Sequence, residues 1–343
     1  MDLLASSLER SPELFPFDLN PATDQITLIR FTEADYQRAS FLDGRILTPQ
    51  TLRRSVHWPQ LEAAADGLEE TACYIFHIGH VGSTLLSRLL GAHPRIFALR
   101  EPAILRTLTQ MWSEAEIRPW SEPKFDRRLG SILKLLSRTF RPDQRAIVKT
   151  TSFVSQLAAQ ILARPSEAKA IFMFVPAETY LATILGAPNS PKEARMLAEG
   201  RLRRLRARIA GEHWRLAALG EGEVVAMSWA CEMTTIRAAA EEAAGRALWV
   251  NFNAFLESPA ASLFSALRHF GIDAVQVEIE AILSGPDLRC YAKAPEHAFD
   301  SNLRSEILNR ARKDHSAEIA RGLAWLDRAA RDSPAIAFAL ALR

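Results

Sequence analysis

Cys73-Tyr-Ile-Phe-His-Ile-Gly-His-Val-Gly-Ser-Thr-Leu-Leu-Ser-Arg-Leu-Leu90 is the stretch that decides the fold. Its first six residues form a short apolar, β-prone run, as a buried strand requires. Gly79-His-Val-Gly82 breaks that run. Leucines at 85, 86, 89 and 90 then fall on one face of a helix, which Gly91 and Pro94 stop.

The same alternation continues along the chain. Ile96–Leu99 reads as a second strand, and Glu101-Pro102 opens a helix with Leu105, Leu108 and Trp112 on one face. Phe125–Phe140 is an amphipathic helix. Ala146–Val148 is a third strand, and Thr150, Thr151 or Ser152 is placed to cap the helix after it. Ala170–Val175 is a fourth strand, ended by Pro176. A helical stretch over about 223–244 precedes a fifth, Ala247–Phe252. Strands apolar on both faces, alternating with helices, predict an α/β fold whose parallel sheet is covered on both sides.

The flanks read differently. Residues 1–68 are an extension of unassigned role, turn-rich at Ser11-Pro12 and Asn20-Pro21. They hold a short strand at Ile26–Ile29 and a helix over Leu61–Leu68. The α/β core spans 69–300. Residues 301–343 carry a helical pattern, with Leu303, Ile307 and Leu308 followed by Ile319, Leu323 and Leu326, and are expected to pack on the core.

Composition narrows the function. At 343 residues, 48% hydrophobic and 24% charged, the chain has enough apolar material for a sizeable core. A net charge of +2 gives no argument for nucleic acid as a partner. Cys73, Cys231 and Cys290 are odd in number and far apart, so no disulfide framework is expected. The first ten residues lack the basic start and apolar run of a signal peptide, and no stretch reaches the roughly 20 apolar residues of a membrane span. The expectation is a reduced, cytoplasmic protein.

In a parallel sheet ligands bind beyond the carboxyl ends of the strands. Gly79-His-Val-Gly-Ser-Thr84 lies there. Its glycines permit a tight turn and close backbone approach. The helix start after it offers unpaired N–H groups and the positive end of the dipole. With the hydroxyls of Ser83 and Thr84, this makes a phosphate site. Ser83 stands where a Walker A motif carries lysine. His77-x-x-His80 is not a helix-borne zinc pair and has no third ligand in view, so no metal is expected.

Phe76-His-Ile-Gly-His-Val-Gly-Ser-Thr-Leu-Leu86, then His93-Pro94 and Arg100-Glu101-Pro102, resembles the sulfotransferase family. Ala146-Ile-Val-Lys149 looks like that family's strand ending in lysine, and Lys169–Ala177 like its strand ending in Arg-Asp-Pro. Leu248–Phe252, with Pro259 and Phe270-Gly271, looks like the unit that closes the core. The resemblance covers about residues 70–275. It implies a P-loop NTPase-like parallel sheet with N- and C-terminal helical additions. It also implies transfer of a sulfonate group from PAPS, 3′-phosphoadenosine 5′-phosphosulfate, to a hydroxyl or amine. The acceptor would be a small molecule, a carbohydrate or a lipid.

The resemblance assigns roles by position. Gly79, His80, Val81, Gly82, Ser83 and Thr84 would hold the 5′-phosphosulfate. Thr183 fits the family's serine at the 3′-phosphate. Lys293, in a loop after Cys290-Tyr291, would close over the nucleotide. Glu101 would act as the base, with Lys149 and His80 stabilising charge. His80 stands where the family carries Arg or Lys, and Val175 where it carries the arginine that contacts the 3′-phosphate. Lys149, Lys293 and the arginines at 201, 203, 204, 206 and 208 are candidates to compensate. The alternatives are a P-loop nucleotide-dependent kinase, or a non-catalytic nucleotide-binding protein with a degenerate sulfotransferase fold.

Overall fold

Pro16 sits inside a strand that its own sequence hides. In the computed structural model, which describes residues 8, 11–114, 119–164, 167–209, 214–291, 294–298 and 301–342, the start of the chain is an antiparallel sheet. Its strands are β1 (Leu14–Asn20), β2 (Gln25–Arg30) and β3 (Arg53–His57), in that order. β1 is an edge strand, and its register shifts between Pro16 and Asp18. An edge with a bulge is where a strand tolerates a residue without an N–H. Phe15, Phe17 and Leu19 are buried. The N-terminal addition carries the helices Glu33–Arg38 and Trp58–Ala65. It is built round this sheet, of which the sequence reading held only the Ile26–Ile29 strand.

The main sheet follows the expected alternation. β4 (Cys73–His77), β5 (Ile96–Arg100), β6 (Arg145–Lys149), β7 (Ala170–Phe174) and β8 (Ala247–Asn251) lie in the order β5-β6-β4-β7-β8. Every neighbouring pair is parallel. The connection from β4 steps past β6 to β5, whereas the connection from β6 crosses β4 to reach β7. The chain thus winds in opposite directions on the two sides of the β4–β6 pair. The crevice at the carboxyl ends of such strands is where ligands sit in open α/β sheets. β4, β5 and β7 are buried along their whole length, as strands covered on both faces must be.

Two buried arginines fasten the N-terminal addition to this sheet. Arg138 donates to the carbonyls of Leu8 and Ser11 (both 2.6 Å) and of Leu14 (2.8 Å). Arg100, at the end of β5, donates to those of Tyr36 (3.0 Å) and Ala39 (2.9 Å). Leu42 then pairs across to the same edge: its N–H donates to Arg100 O at 2.6 Å, and its carbonyl accepts from Ala103 at 3.0 Å. This lays residues 41–45 beside Glu101.

The tail is helical, as expected, in three pieces: Ser301–Asp314, Ser316–Asp332 and Pro334–Ala341. The second crosses the long helix Glu221–Glu242 where Gly222 meets Gly322, and a Cβ on either glycine would strike backbone. One cluster of buried apolar residues runs from Leu8 to Ala339. Among the described residues no helix is long and apolar enough to cross a membrane.

Candidate active site

The turn after β4 is held by a histidine. The Gly79 N–H donates to His77 Nδ1 at 3.0 Å, and His77 Nε2 lies 2.9 Å from Thr150 O. A carbonyl only accepts, so Nε2 carries the proton and Nδ1 is the acceptor. The ring is neutral, buried and engaged at both nitrogens, which removes it as a metal ligand. Ser155 Oγ donates to His77 O at 3.1 Å and completes the clamp. Gly79 (φ +89°), His80 (+55°) and Gly82 (+67°) all take left-handed backbone, which turns the chain sharply from strand to helix.

Gly82 precedes the helix Ser83–Gly91. Val81, Ser83 and Thr84 are buried and His80 is exposed. Val81 is therefore a plug that can offer a ligand only its backbone. Thr84 Oγ1 is buried without a hydrogen-bond partner. A buried hydroxyl left unmatched costs free energy. Beside the unpaired amides of a helix start, it fits an incoming oxyanion. A Cβ on Gly82 would overlap the Phe252 ring, so this position admits no side chain.

Glu101 and Lys149 meet at the same edge. Arg100 pairs with Lys149 across β5 and β6, which sets Glu101 one residue beyond the register. The Lys149 ammonium, wholly buried, donates to Glu101 Oε1. The Glu101 N–H donates to Lys149 O at 2.6 Å. Arg45 Nη2, from the N-terminal addition, stands 3.8 Å from Glu101 Oε2 and lies over the Phe41 ring. Glu101 adopts φ +55°. Left-handed backbone costs a non-glycine residue about 1–2 kcal/mol. Of the four such residues described, Asp24, His80, Glu101 and Ala244, two stand at this edge. Strain of this kind collects at functional sites. Glu101 is therefore neither a cap nor a first-turn acid of the helix Ala103–Ser113, whose N-cap is Pro102.

Other expected residues lie apart. Thr183 Oγ1 donates to Thr179 O at 2.7 Å, within its own helix. Val175 is fully buried, and its carbonyl accepts from Trp229 Nε1 at 3.0 Å. Its side chain, one residue past the end of β7, is packed in the core. The arginine run braces the long helix. Arg201 and Arg204 both donate to buried Glu232 Oε1 (3.1 and 3.0 Å), and Arg208 donates to Cys231 O (2.9 Å). Arg206 donates to the Trp214 carbonyl. Thr151 precedes the 3-10 helix Ser152–Leu157, but its hydroxyl makes no cap. Lys293 lies outside the described residues.

Sequence reasoning missed two members of the site. Arg45 arrives by tertiary packing from a segment with no local signal of function. The His77 clamp was readable only as a histidine at a strand end. Among the described residues no group of three or more His, Cys, Asp or Glu is gathered to hold a metal ion.

No family model matches the chain, and no curated protein matches it by sequence. Solved structures do align. A sulfotransferase domain from the curacin biosynthetic pathway aligns at 12% identity and a TM-score of 0.43, over 71% of this chain and 97% of that one. A sulfotransferase from Alicyclobacillus acidocaldarius aligns at 13% and 0.37, over 76% and 95%. Sulfotransferase STF9 from Mycobacterium avium aligns at 10% and 0.35, over 75% and 79%.

Proposed function

We propose that the chain transfers a sulfonate group from PAPS to a hydroxyl or amine of a small-molecule, carbohydrate or lipid acceptor. The observation that carries this reading is the Lys149–Glu101 pair, set on the ligand edge beside a glycine turn with an unmatched buried hydroxyl. The amides at the start of the Ser83–Gly91 helix and Thr84 Oγ1 bind the 5′-phosphosulfate. An acceptor oxygen or nitrogen attacks sulfur. The bond from sulfur to the bridging phosphate oxygen breaks, and the desulfonated nucleotide PAP leaves with that electron pair. The acceptor's proton passes to the Glu101 carboxylate. A carboxylate beside an anionic donor is repelled. Lys149 offsets that repulsion and fixes the carboxylate in place, with His80 exposed on the turn as a further donor. Positioning and fixed charge supply the acceleration.

The test is transfer of labelled sulfonate from PAPS to a pool of hydroxyl and amine acceptors. A thermal-shift panel of PAP, ATP–magnesium and GTP–magnesium accompanies it. Labelled product and a PAP shift are expected. A shift with ATP–magnesium alone would point to a kinase. A PAP shift without transfer to any acceptor would point to a binding protein.

A further inference from the structure

Phe252 fills the space over Gly82, and the C-terminal segment places a cation on that ring. Arg304, on the helix Ser301–Asp314, holds its guanidinium 5.1 Å from the Phe252 centroid. Its Nη2 donates to Asn253 Oδ1 at 2.8 Å, and Asn253 Nδ2 donates to Thr179 Oγ1 at 3.1 Å. Arg304 is thus fixed by stacking and by one amide. Among the described residues no carboxylate pairs with it. A second cation, Arg312, acts on it and is itself held by Glu178 at 3.0 Å. Burial and Arg312 together depress the Arg304 pKa. Several other buried or part-buried arginines are matched more fully: Arg201 and Arg204 share Glu232, Arg164 binds Glu70, and Arg100 and Arg138 each donate to two or more backbone carbonyls.

We infer that Arg304 is a phosphate-binding residue of the nucleotide site, delivered by the C-terminal helix to the Gly82 side of the turn. The inference rests on the proposed donor chemistry for the identity of the nucleotide, and on geometry for the cation. A guanidinium has five donors, and here one is engaged within the protein; the remainder of the fork suits an oxyanion. Asn253 and Thr179, on the helices that follow β8 and β7, hold the arginine in place. The charge absent at buried Val175 is therefore supplied from a different part of the chain, beyond the span of the family resemblance.

Two variants keep the fold in hand. Arg304→Met retains the aliphatic stem on Phe252 and removes the charge; Arg304→Lys keeps the charge without the fork. The probes are PAP by calorimetry and inorganic pyrophosphate by thermal shift. PAP should bind Arg304→Met about tenfold or more weakly than the parent, with Arg304→Lys between them. The pyrophosphate shift should shrink in step. PAP and pyrophosphate responses unchanged in Arg304→Met would overturn the inference. A parent protein that responds to pyrophosphate through Arg304 but not to PAP would sink the donor reading and leave the phosphate site standing. A parent that responds to neither would remove both.

Discussion

Lys149 ends β6, Glu101 directly follows the adjacent parallel strand β5, and the two close an ion pair in which the lysine is wholly buried. Removing one partner of a buried pair strands the other, whereas replacing both with apolar groups is often neutral. Glu101→Gln leaves an amide oxygen for the ammonium and cannot take a proton. Turnover should fall about 10²–10⁴-fold, the usual contribution of a positioned base. Stability should fall by about 1–3 kcal/mol, because a buried ammonium loses its charged partner. Adding Lys149→Met should restore stability and not turnover. Denaturant titrations and sulfonate transfer on the four proteins of the cycle measure both. Unchanged turnover in Glu101→Gln would remove it as the base.

Thr84→Val separates ligand binding from folding. Thr84 Oγ1 has no partner in the protein, so a methyl of the same shape removes an unmatched polar atom. The fold should keep its stability or gain slightly. PAP affinity should drop by about tenfold if that hydroxyl meets the phosphosulfate. Gly82 is a poor probe of the same site. Any side chain there meets Phe252 and a left-handed backbone, so folding and binding would fail together. A Thr84→Val protein that unfolds early and binds PAP normally would reverse the assignment.

The contrast between Thr84 and Arg45 shows where sequence reading works. Strands β4 to β8 were visible because continuous apolar runs between turn residues have few other solutions, and their boundaries fell within a residue or two. The turn at 79–84 and the positions of Glu101 and Lys149 at strand ends followed from that periodicity. Their pairing depended on β6 lying between β5 and β4, which no local pattern states. β1 stayed hidden because Pro16 and Asn20-Pro21 signal turns, and only edge pairing with β2 makes a strand of them. Arg45 and Arg304 reach the site from segments far away in the chain. Their charges look like ordinary solvated residues until the N-terminal sheet and the C-terminal helix are folded back. Val175 shows the reverse case: the resemblance sets it where the family carries an arginine, but its side chain is packed in the core.

Two histidines set a pH dependence. Burial lowers the pKa of His93 and of His269 below the ordinary 6.5. His93 Nδ1 accepts from the Arg95 N–H at 3.2 Å, and His269 Nε2 faces Ala170 O at 3.1 Å. As pH falls, the unfolded chain takes up these protons first, near 6.5, while the native rings stay neutral. Stability from these groups is thus present above 6.5 and lost as pH drops below it toward the lowered native values. Urea midpoints should fall between pH 7.5 and pH 5.5. The paired change His93→Gln with His269→Gln should flatten that fall. An equal slope in the variant would assign the dependence to other groups.

The clamp on Gly79 offers the last test, because it ties the fold to the site through one ring. His77 receives the Gly79 N–H and donates to Thr150 O, so a single side chain joins β4, the turn and the segment that follows Lys149. His77→Phe fills the same space and leaves that amide and that carbonyl buried without partners. Each unmatched group costs about 1–3 kcal/mol, so the melting temperature should fall by several degrees. His77→Asn keeps one donor and one acceptor on a shorter stem and should lie between the parent and His77→Phe. The turn should loosen before the fold does. Amide exchange at Gly79 should quicken more in His77→Phe than exchange at Ile75, in the middle of β4. PAP affinity should fall in the same order, because the helix-start amides would no longer be pre-set to meet the phosphate. Parent-like exchange at Gly79 in His77→Phe would mean that the glycines hold the turn unaided, and the histidine would then be a core residue that happens to lie beneath it.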